Sequence, residues 1–407
     1  MTHPTQQLAQ PQLASPKFKA NPHPFYAQLR AEAPVYQAHL SRRQSVWLVS
    51  RYSDVLTVLK DERFSKDRFR ATTPEQQAKM PWMPSMLRPL ARNMLDLDPP
   101  DHTRLRGLVH KAFTPRLVEQ LRERIQRLCD DLLQAAQKRG RMDLVRDYAL
   151  PLPVTIIAEM LGIPPKDRNK FSRWSGSIVS IASNSDVFRA LPPLWLFMRY
   201  LRAFFKQRRA DPQDDLTTAL LQAEEAGDRL SEDELLAMIF LLLIAGHETT
   251  VNLIASGTLA LLQNPDQMAM LCVDPSLIKP AIEELLRYTS PVDIATERFA
   301  REEVTIGGVT ISRGEQVLAL LGSANRDEQQ FEQPDRLILT REPNRHLAFG
   351  QGIHYCVGAP LARLEGQIAI NTLLHRLPDL RLAAGPETLR WRRGLFVRGL
   401  EALPVAF

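Results

Sequence analysis

The chain has 407 residues, of which 44% are hydrophobic and 24% charged, with a net charge of +6 at pH 7. That balance excludes a disordered chain and leaves room for a large buried core. Three cysteines, Cys129, Cys272 and Cys356, are too few and too scattered for a disulfide framework or a cysteine zinc cage. The basic residues come in short groups, as at 207–209 and 390–393, so no nucleic-acid partner is expected.

The polar, proline-dotted residues 1–20 read as a flexible segment and residues 21–407 as a single domain. The start has no charged-then-apolar signal layout, and no segment offers ~18 consecutive apolar residues. A cytoplasmic protein with no membrane partner is therefore expected. Short strand-like runs lie at 33–37 and 45–50. The stretch DPPDHTRLR at 98–106 then sets His102 and Arg106 four apart, on one face of a helix. Helical periodicity follows over 116–138, 154–161, 167–183, 194–209 and 215–226.

The best-marked helix is 232–263. Ser231 and Glu234 form a capping box at its start and Asn264-Pro265 closes it, giving about 48 Å at 1.5 Å per residue. A helix at 279–288 carries Glu284 and Arg287 as i, i+3 neighbours. Strands are expected near 292–299 and over 303–321, where a hairpin turns at Gly307-Gly308 with a further strand behind it. A last helix at 359–376 and strands within 380–404 complete a mainly α protein with a small, discontinuous β portion.

Inside the long helix, LLLIAGHETT at 241–250 needs a reason for its glycine. A zinc-protease motif is excluded because position 251 is Val where the second histidine would stand. Two readings remain at this point. Either Ala245 and Gly246 admit a flat, bulky body while Glu248 and Thr249 supply a proton route, or the polar residues satisfy neighbours in a core helix. His247 is not expected to ligate a metal.

Near the C-terminus, Gly350, Gly352 and Gly358 bracket His354 and Cys356, just before a helix with Pro360 in its first turn. A helix N-terminus favours a thiolate. With no second cysteine nearby, single-thiolate ligation of a haem iron fits best, which makes Cys356 a metal ligand.

The run Phe349-Gly350-x-Gly352-x-His354-x-Cys356-x-Gly358 resembles the haem-binding signature of the cytochrome P-450 family of haem-thiolate monooxygenases. Ala245-Gly246-His247-Glu248-Thr249 is similar to the oxygen-activating helix of that family, and the likeness runs from about residue 20 to 405. The resemblance implies the cytochrome P-450 fold, haem b as cofactor and Cys356 as proximal ligand shielded by Phe349. It implies His102, Arg106, Arg298 and His354 around the haem propionates, Glu248 and Thr249 as the proton-delivering pair, and Arg336 as the arginine locked by Glu284 and Arg287. The substrate pocket would be lined by Trp82, Met83, Met86, Leu242, Ile294, Ala295, Phe396 and Val397, mostly apolar side chains.

On the same ground, the chain is expected to hydroxylate or epoxidise a medium-to-large hydrophobic molecule with O2. A polyketide or macrolide, a terpenoid or steroid, and a fatty acid are the substrate classes implied. Electrons would come from NAD(P)H through a ferredoxin reductase and an external ferredoxin, docking on a monomer near Arg104, Lys111, Arg116 and Arg363. A peroxide-driven peroxygenase and a haem-binding gas sensor are the alternatives.

Overall fold

The structure is a computed structural model that describes residues 10–41, 44–78, 90, 92–168, 170, 184–225 and 228–407. In chain order the elements used below begin with α1 (Pro16–Ala20), α2 (His23–Glu32), β1 (Val35–Ser41), β2 (Gln44–Val49), α3 (Tyr52–Lys60) and β3 (Phe64–Ser65). They continue with α4 (Asp101–Ala112), α5 (Arg122–Gln137), α6 (Pro151–Met160), α7 (Asn184–Ala210), α8 (Glu232–Leu262) and α9 (Ile278–Thr289). After them come β4 (Arg298–Ala300), β5 (Val304–Ile306), β6 (Val309–Ile311), β7 (Gln316–Ala319) and α10 (Ala359–Arg376).

The axis of the fold is α8. Its capping box forms as the sequence predicts, with Ser231 Oγ accepting from Glu234 N–H at 3.2 Å and Glu234 Oε2 accepting from Ser231 N–H at 2.8 Å. Apolar side chains all round its circumference force it into the core, where it packs against α6, α9 and α10. By length and composition alone this helix would cross a membrane, but 61% of its most apolar window is buried inside the protein. The crossing of α8 and α10 is close because Gly366 carries no side chain: a Cβ there would stand 2.9 Å from Leu253 Cδ2.

The largest sheet has five strands in the order β1-β2-β7-β4-β3, and a three-stranded sheet joins residues 141–143, 381–382 and 404–406. β1 and β2 pair antiparallel from Val35↔Val49, and β7 joins β2 in parallel at Val317↔Trp47. The expected hairpin forms between β5 and β6, with Gly307 and Gly308 both at positive φ. A large helical core surrounds α8, and smaller apolar clusters lie on the sheet.

Several expected boundaries move. The helix at 116–138 is two helices, Pro115–Gln120 and α5, separated at Leu121. The helix at 194–209 is the end of the longer α7, which runs through Pro192 and Pro193. The one at 215–226 stops at Gln222. Residues 171–183 and the pocket candidates Trp82, Met83 and Met86 lie outside the described residues.

The N-terminal segment departs most from expectation. Residues 1–9 lie outside the described set, but residues 10–20 are built into the fold. Leu13 and Phe18 are buried, and Lys19 Nζ donates to Asp293 Oδ2 at 2.7 Å with both groups out of solvent. Tyr26 Oη donates to the same carboxylate at 2.9 Å. A buried ion pair and two aromatic contacts, Phe18 with Phe25 and with Tyr26, outweigh the polar composition of this stretch.

Candidate active site

Glycine sets the shape of the loop that carries Cys356. Gly350 and Gly352 have φ of 69° and 75°, and a Cβ on Gly352 would meet the Leu59 carbonyl oxygen at 2.7 Å. The Cys356 N–H donates to the Phe349 carbonyl at 3.0 Å and closes the loop just ahead of α10. Cys356 is crowded by protein, yet the residue keeps accessible surface. Burial pushes the free thiol up, against the Gly358 N–H, Arg106, Arg363 and the Ala359 N–H, which favour the thiolate. The helix end therefore does not by itself make a thiolate, whereas a bound cation deprotonates a coordinating thiol outright. Cys129, by contrast, is a core side chain pushed up to about 12 by burial.

Beside this loop, α4 and β4 bring four predicted side chains together. The His102 and His354 rings lie 4.3 Å apart, centroid to centroid. Both nitrogens of His102 and Nε2 of His354 are buried with no hydrogen-bond partner. Burial, reinforced by neighbouring cations, holds His102 down to about 4 and His354 down to about 2. Arg106 donates to the Tyr355 carbonyl at 2.7 Å, and buried Arg298 makes only a 3.4 Å bond to the Thr296 carbonyl.

Sequence reasoning missed a fifth member, Lys66, because its partners are 230 and 231 residues away. Its ammonium is buried, donates to Thr296 Oγ1 at 2.8 Å and the Glu297 carbonyl at 2.9 Å, and is pushed down to about 8 by burial and by Arg298. Cations so placed are costly unless anions meet them. Asp98 is engaged by Ser65 Oγ and by the Lys66 and Asp67 N–H groups, so the cluster retains donors to spare.

On α8, burial lapses over one short stretch. Ala245 is exposed and Leu242, Glu248 and Thr249 are half-buried, between fully buried runs at Leu235–Ile239 and Val251–Leu261. Thr249 Oγ1 donates to the Ala245 carbonyl at 2.9 Å. Burial raises the pKa of Glu248, and Arg392, whose Nη1 lies 3.9 Å from Glu248 Oε1, pulls it back. A side chain grown on Gly246 would point to Ile157 at 3.7 Å, an ordinary contact, so Ala245 is the residue that leaves space on the open stretch. His247 is satisfied within its own helix, Nδ1 lying 2.7 Å from the Leu243 carbonyl.

The Glu284–Arg287 pair is fully buried and bidentate, at 2.8 Å for each contact. The third arginine is not Arg336. That side chain is exposed and bonds Gln333, and only its carbonyl accepts from Arg287, at 3.0 Å. Arg341 takes the place instead, its Nε within 3.2 Å of both Glu284 oxygens. Among the pocket candidates, residues 292–294 meet 396–397: Asp293 and Ile294 donate to the Phe396 carbonyl, and Val292 bridges Val397. Phe396 and Val397 are half-buried and Ala295 nearly buried, but Ile294 has no exposed surface and packs with Leu48 and Leu318 in the core instead of lining a space. Of the expected docking bases, Arg363 is held by Glu283 and Arg104 by Glu234.

Among the described residues, no group of three His, Cys, Asp or Glu side chains forms a metal cage. A lone cysteine beside histidines with buried, unpartnered ring nitrogens and a group of buried or half-buried cations is a donor set that fits a haem with an acidic edge. The family model for cytochrome P450 matches residues 8–273 and 276–378. Cytochrome P450 107B1 of Saccharopolyspora erythraea is 49% identical over 390 residues, 95% of each chain.

Among solved structures, the Bacillus subtilis bacillaene polyketide synthase cytochrome P450 PksS superposes with a TM-score of 0.91 at 42% identity, covering 98% of this chain and 99% of that one. A myxobacterial cytochrome P450, CYP267B1, in complex with myristic acid gives 0.90 at 44% identity, with the same coverage. The chain belongs to the cytochrome P450 family and is a monooxygenase. Membership brings a haem iron, a hydrophobic substrate, O2 and redox partners.

Proposed function

We propose that the protein hydroxylates or epoxidises a medium-to-large hydrophobic molecule, of the polyketide, fatty-acid or steroid class, with electrons from NAD(P)H through a reductase and an external ferredoxin. PksS is named for a polyketide synthase and CYP267B1 was crystallised with a fatty acid, which supports those two classes; a relative named vitamin D(3) 25-hydroxylase, 48% identical, keeps steroids beside them. The reading includes a cytoplasmic monomer with one catalytic domain. The observation that carries it is the cluster of partnerless His102 and His354 with Arg298 beside the Cys356 loop.

In this reading Cys356 ligates the iron of haem b, Phe349 covers the sulfur, and Gly350 and Gly358 let the loop approach it. Arg363 stacks on Phe349 with its guanidinium 4.4 Å from the ring centroid, and holds that ring in place. His102, Arg106, Arg298 and His354, joined by Lys66, bond the two propionates and so recover the donors left over in the cluster. When bound, the haem supplies the redox chemistry that splits O2, placing one oxygen in the substrate and the other in water. Ala245 leaves room above it.

Burial raises Glu248 and Arg392 opposes that rise, so Glu248 is the acid placed to exchange a proton with the site. Thr249 donates to the Ala245 carbonyl, which leaves its oxygen lone pairs to accept a hydrogen bond from a proton-bearing group and hold that group in place. Arg392 sets how readily Glu248 recharges.

The test is the spectrum of reduced, carbon-monoxide-treated protein. The parent should show the strongly red-shifted thiolate band and Cys356→Ala should lose it; a parent without the band, when loaded with haem, removes the assignment. Thr249→Ala should keep that band and keep consuming O2 and NAD(P)H, but form several-fold less product per O2. Full coupling in that variant would remove Thr249 from the proton route. A spin-state titration against fatty acids, macrolactones and steroids then separates the substrate classes.

A further inference from the structure

Beyond the catalytic stretch of α8 lies a cavity of about 340 Å³, within the size range of small-molecule sites. Leu259, Ala260, Leu389 and Trp391 give it an apolar wall, and Ser256, His23, Arg326 and Arg398 give it a polar one. Ala20, Gln263 and Glu387 line it with exposed side chains and mark its mouth. Ser256 stands seven residues beyond Thr249, about 10 Å along the helix, and none of Glu248, Thr249 and Cys356 lines this cavity.

The polar wall is short of acceptors. Arg326 is 6% exposed; its Nη1 donates to Asp335 at 2.8 Å and its Nη2 to the Tyr288 carbonyl at 2.9 Å, but Nε has no partner. Ser256 Oγ, in a residue 4% exposed, and His23 Nδ1 are likewise buried and unpartnered. Arg398 spends three donors on the carbonyls of Lys19, Ala20 and Thr289, with no carboxylate among them. The nearby buried carboxylate, Asp293, is already held by Lys19 and Tyr26.

Both guanidinium groups are fixed by rings: Arg398 lies 4.0 Å from the Trp391 centroid and Arg326 3.9 Å from that of Tyr288. Of the two, Arg398 keeps accessible surface, and with three of its five N–H groups on carbonyls it has donors left for an oxyanion.

We propose that this cavity is a second binding site, for a small organic carboxylate whose charged end meets the Arg398 guanidinium and whose apolar body lies on Leu259, Ala260 and Trp391. The apolar wall selects a carbon-rich body over inorganic phosphate. Glu387 at the mouth favours one negative charge over two. The inference is independent of the substrate class proposed above.

The experiment is calorimetric titration of the haem-loaded chain with naphthalene-2-carboxylate and with its neutral amide, followed in parallel at the Soret band. The carboxylate should bind saturably without moving the Soret band, and the amide should bind at least about tenfold more weakly, the worth of one charged hydrogen bond. Ala260→Phe fills the cavity and should abolish binding. Arg398→Gln should weaken it about tenfold; because Arg398 also ties down α1, the Ala260 variant carries the test if that protein does not fold. Glu387→Gln, at an exposed position, should tighten binding. No heat of binding in the parent, equal binding of the amide, or unchanged binding in Ala260→Phe would overturn the proposal.

Discussion

Glu284 and Glu365 are both shut away from solvent, on the neighbouring helices α9 and α10, and they are handled in opposite ways. Glu284 receives Arg287 bidentately, Arg341, the Ile338 N–H and Asn344 Nδ2. Glu365 receives nothing within hydrogen-bonding geometry; burial pushes it up to about 8, and the Thr250 hydroxyl nearby pulls it down only in part. A carboxylate with every lone pair answered is a rivet, while one with none is held as a neutral acid and can exchange its proton within the physiological range. Glu248, raised by burial and restrained by one distant guanidinium, lies between the two.

The comparison can be broken at several points. Glu284→Ala leaves Arg287 charged and unanswered in the core and should cost about 3–5 kcal/mol, visible as a large drop in the urea midpoint. Glu365→Gln should act in the other direction. In the unfolded chain that carboxyl titrates near 4.5, and in the fold near 8. Between those values the native state holds a proton the unfolded state has lost, so stability falls as pH rises through the window. The variant should therefore flatten the pH dependence and exceed the parent at pH 8 by about 1–3 kcal/mol; equal slopes for both proteins would show that Glu365 is answered after all.

Arg341→Ala should cost about 1–2 kcal/mol by removing one charged partner of Glu284. Arg336→Ala should change stability by less than about 0.5 kcal/mol, as an exposed side chain does. Equal losses at 336 and 341 would restore the sequence-based choice.

That last pair shows where reading the sequence succeeds and where it stops. The cysteine loop was legible because its glycines, histidine and cysteine lie within ten residues and each answers a local demand of backbone or chemistry. The capping box of α8 was legible for the same reason. Two arginines five residues apart in an irregular segment differ only in where the backbone aims them, and no local rule decides that. Lys66 was invisible because its partners, Thr296 and Glu297, lie far along the chain. Gly246 drew attention as the smaller residue, yet a Cβ there would face Ile157, and the helix leaves room at Ala245 instead. Ile294 is apolar, as a pocket residue would be, but with its N–H on the Phe396 carbonyl it sits in the core with Leu48 and Leu318.

The Lys19–Asp293 ion pair has a consequence for how the protein is made. The partners are 274 residues apart, and at ~5–20 residues per second of synthesis the lysine waits roughly 15–55 s for its counterion to leave the ribosome. Until then α1 has no acid to close upon, and the segment from 292 to 297 is not yet tethered to it. Helix α1 thus docks late relative to its own synthesis, and this part of the architecture closes only after the 274 residues that separate the pair have been made.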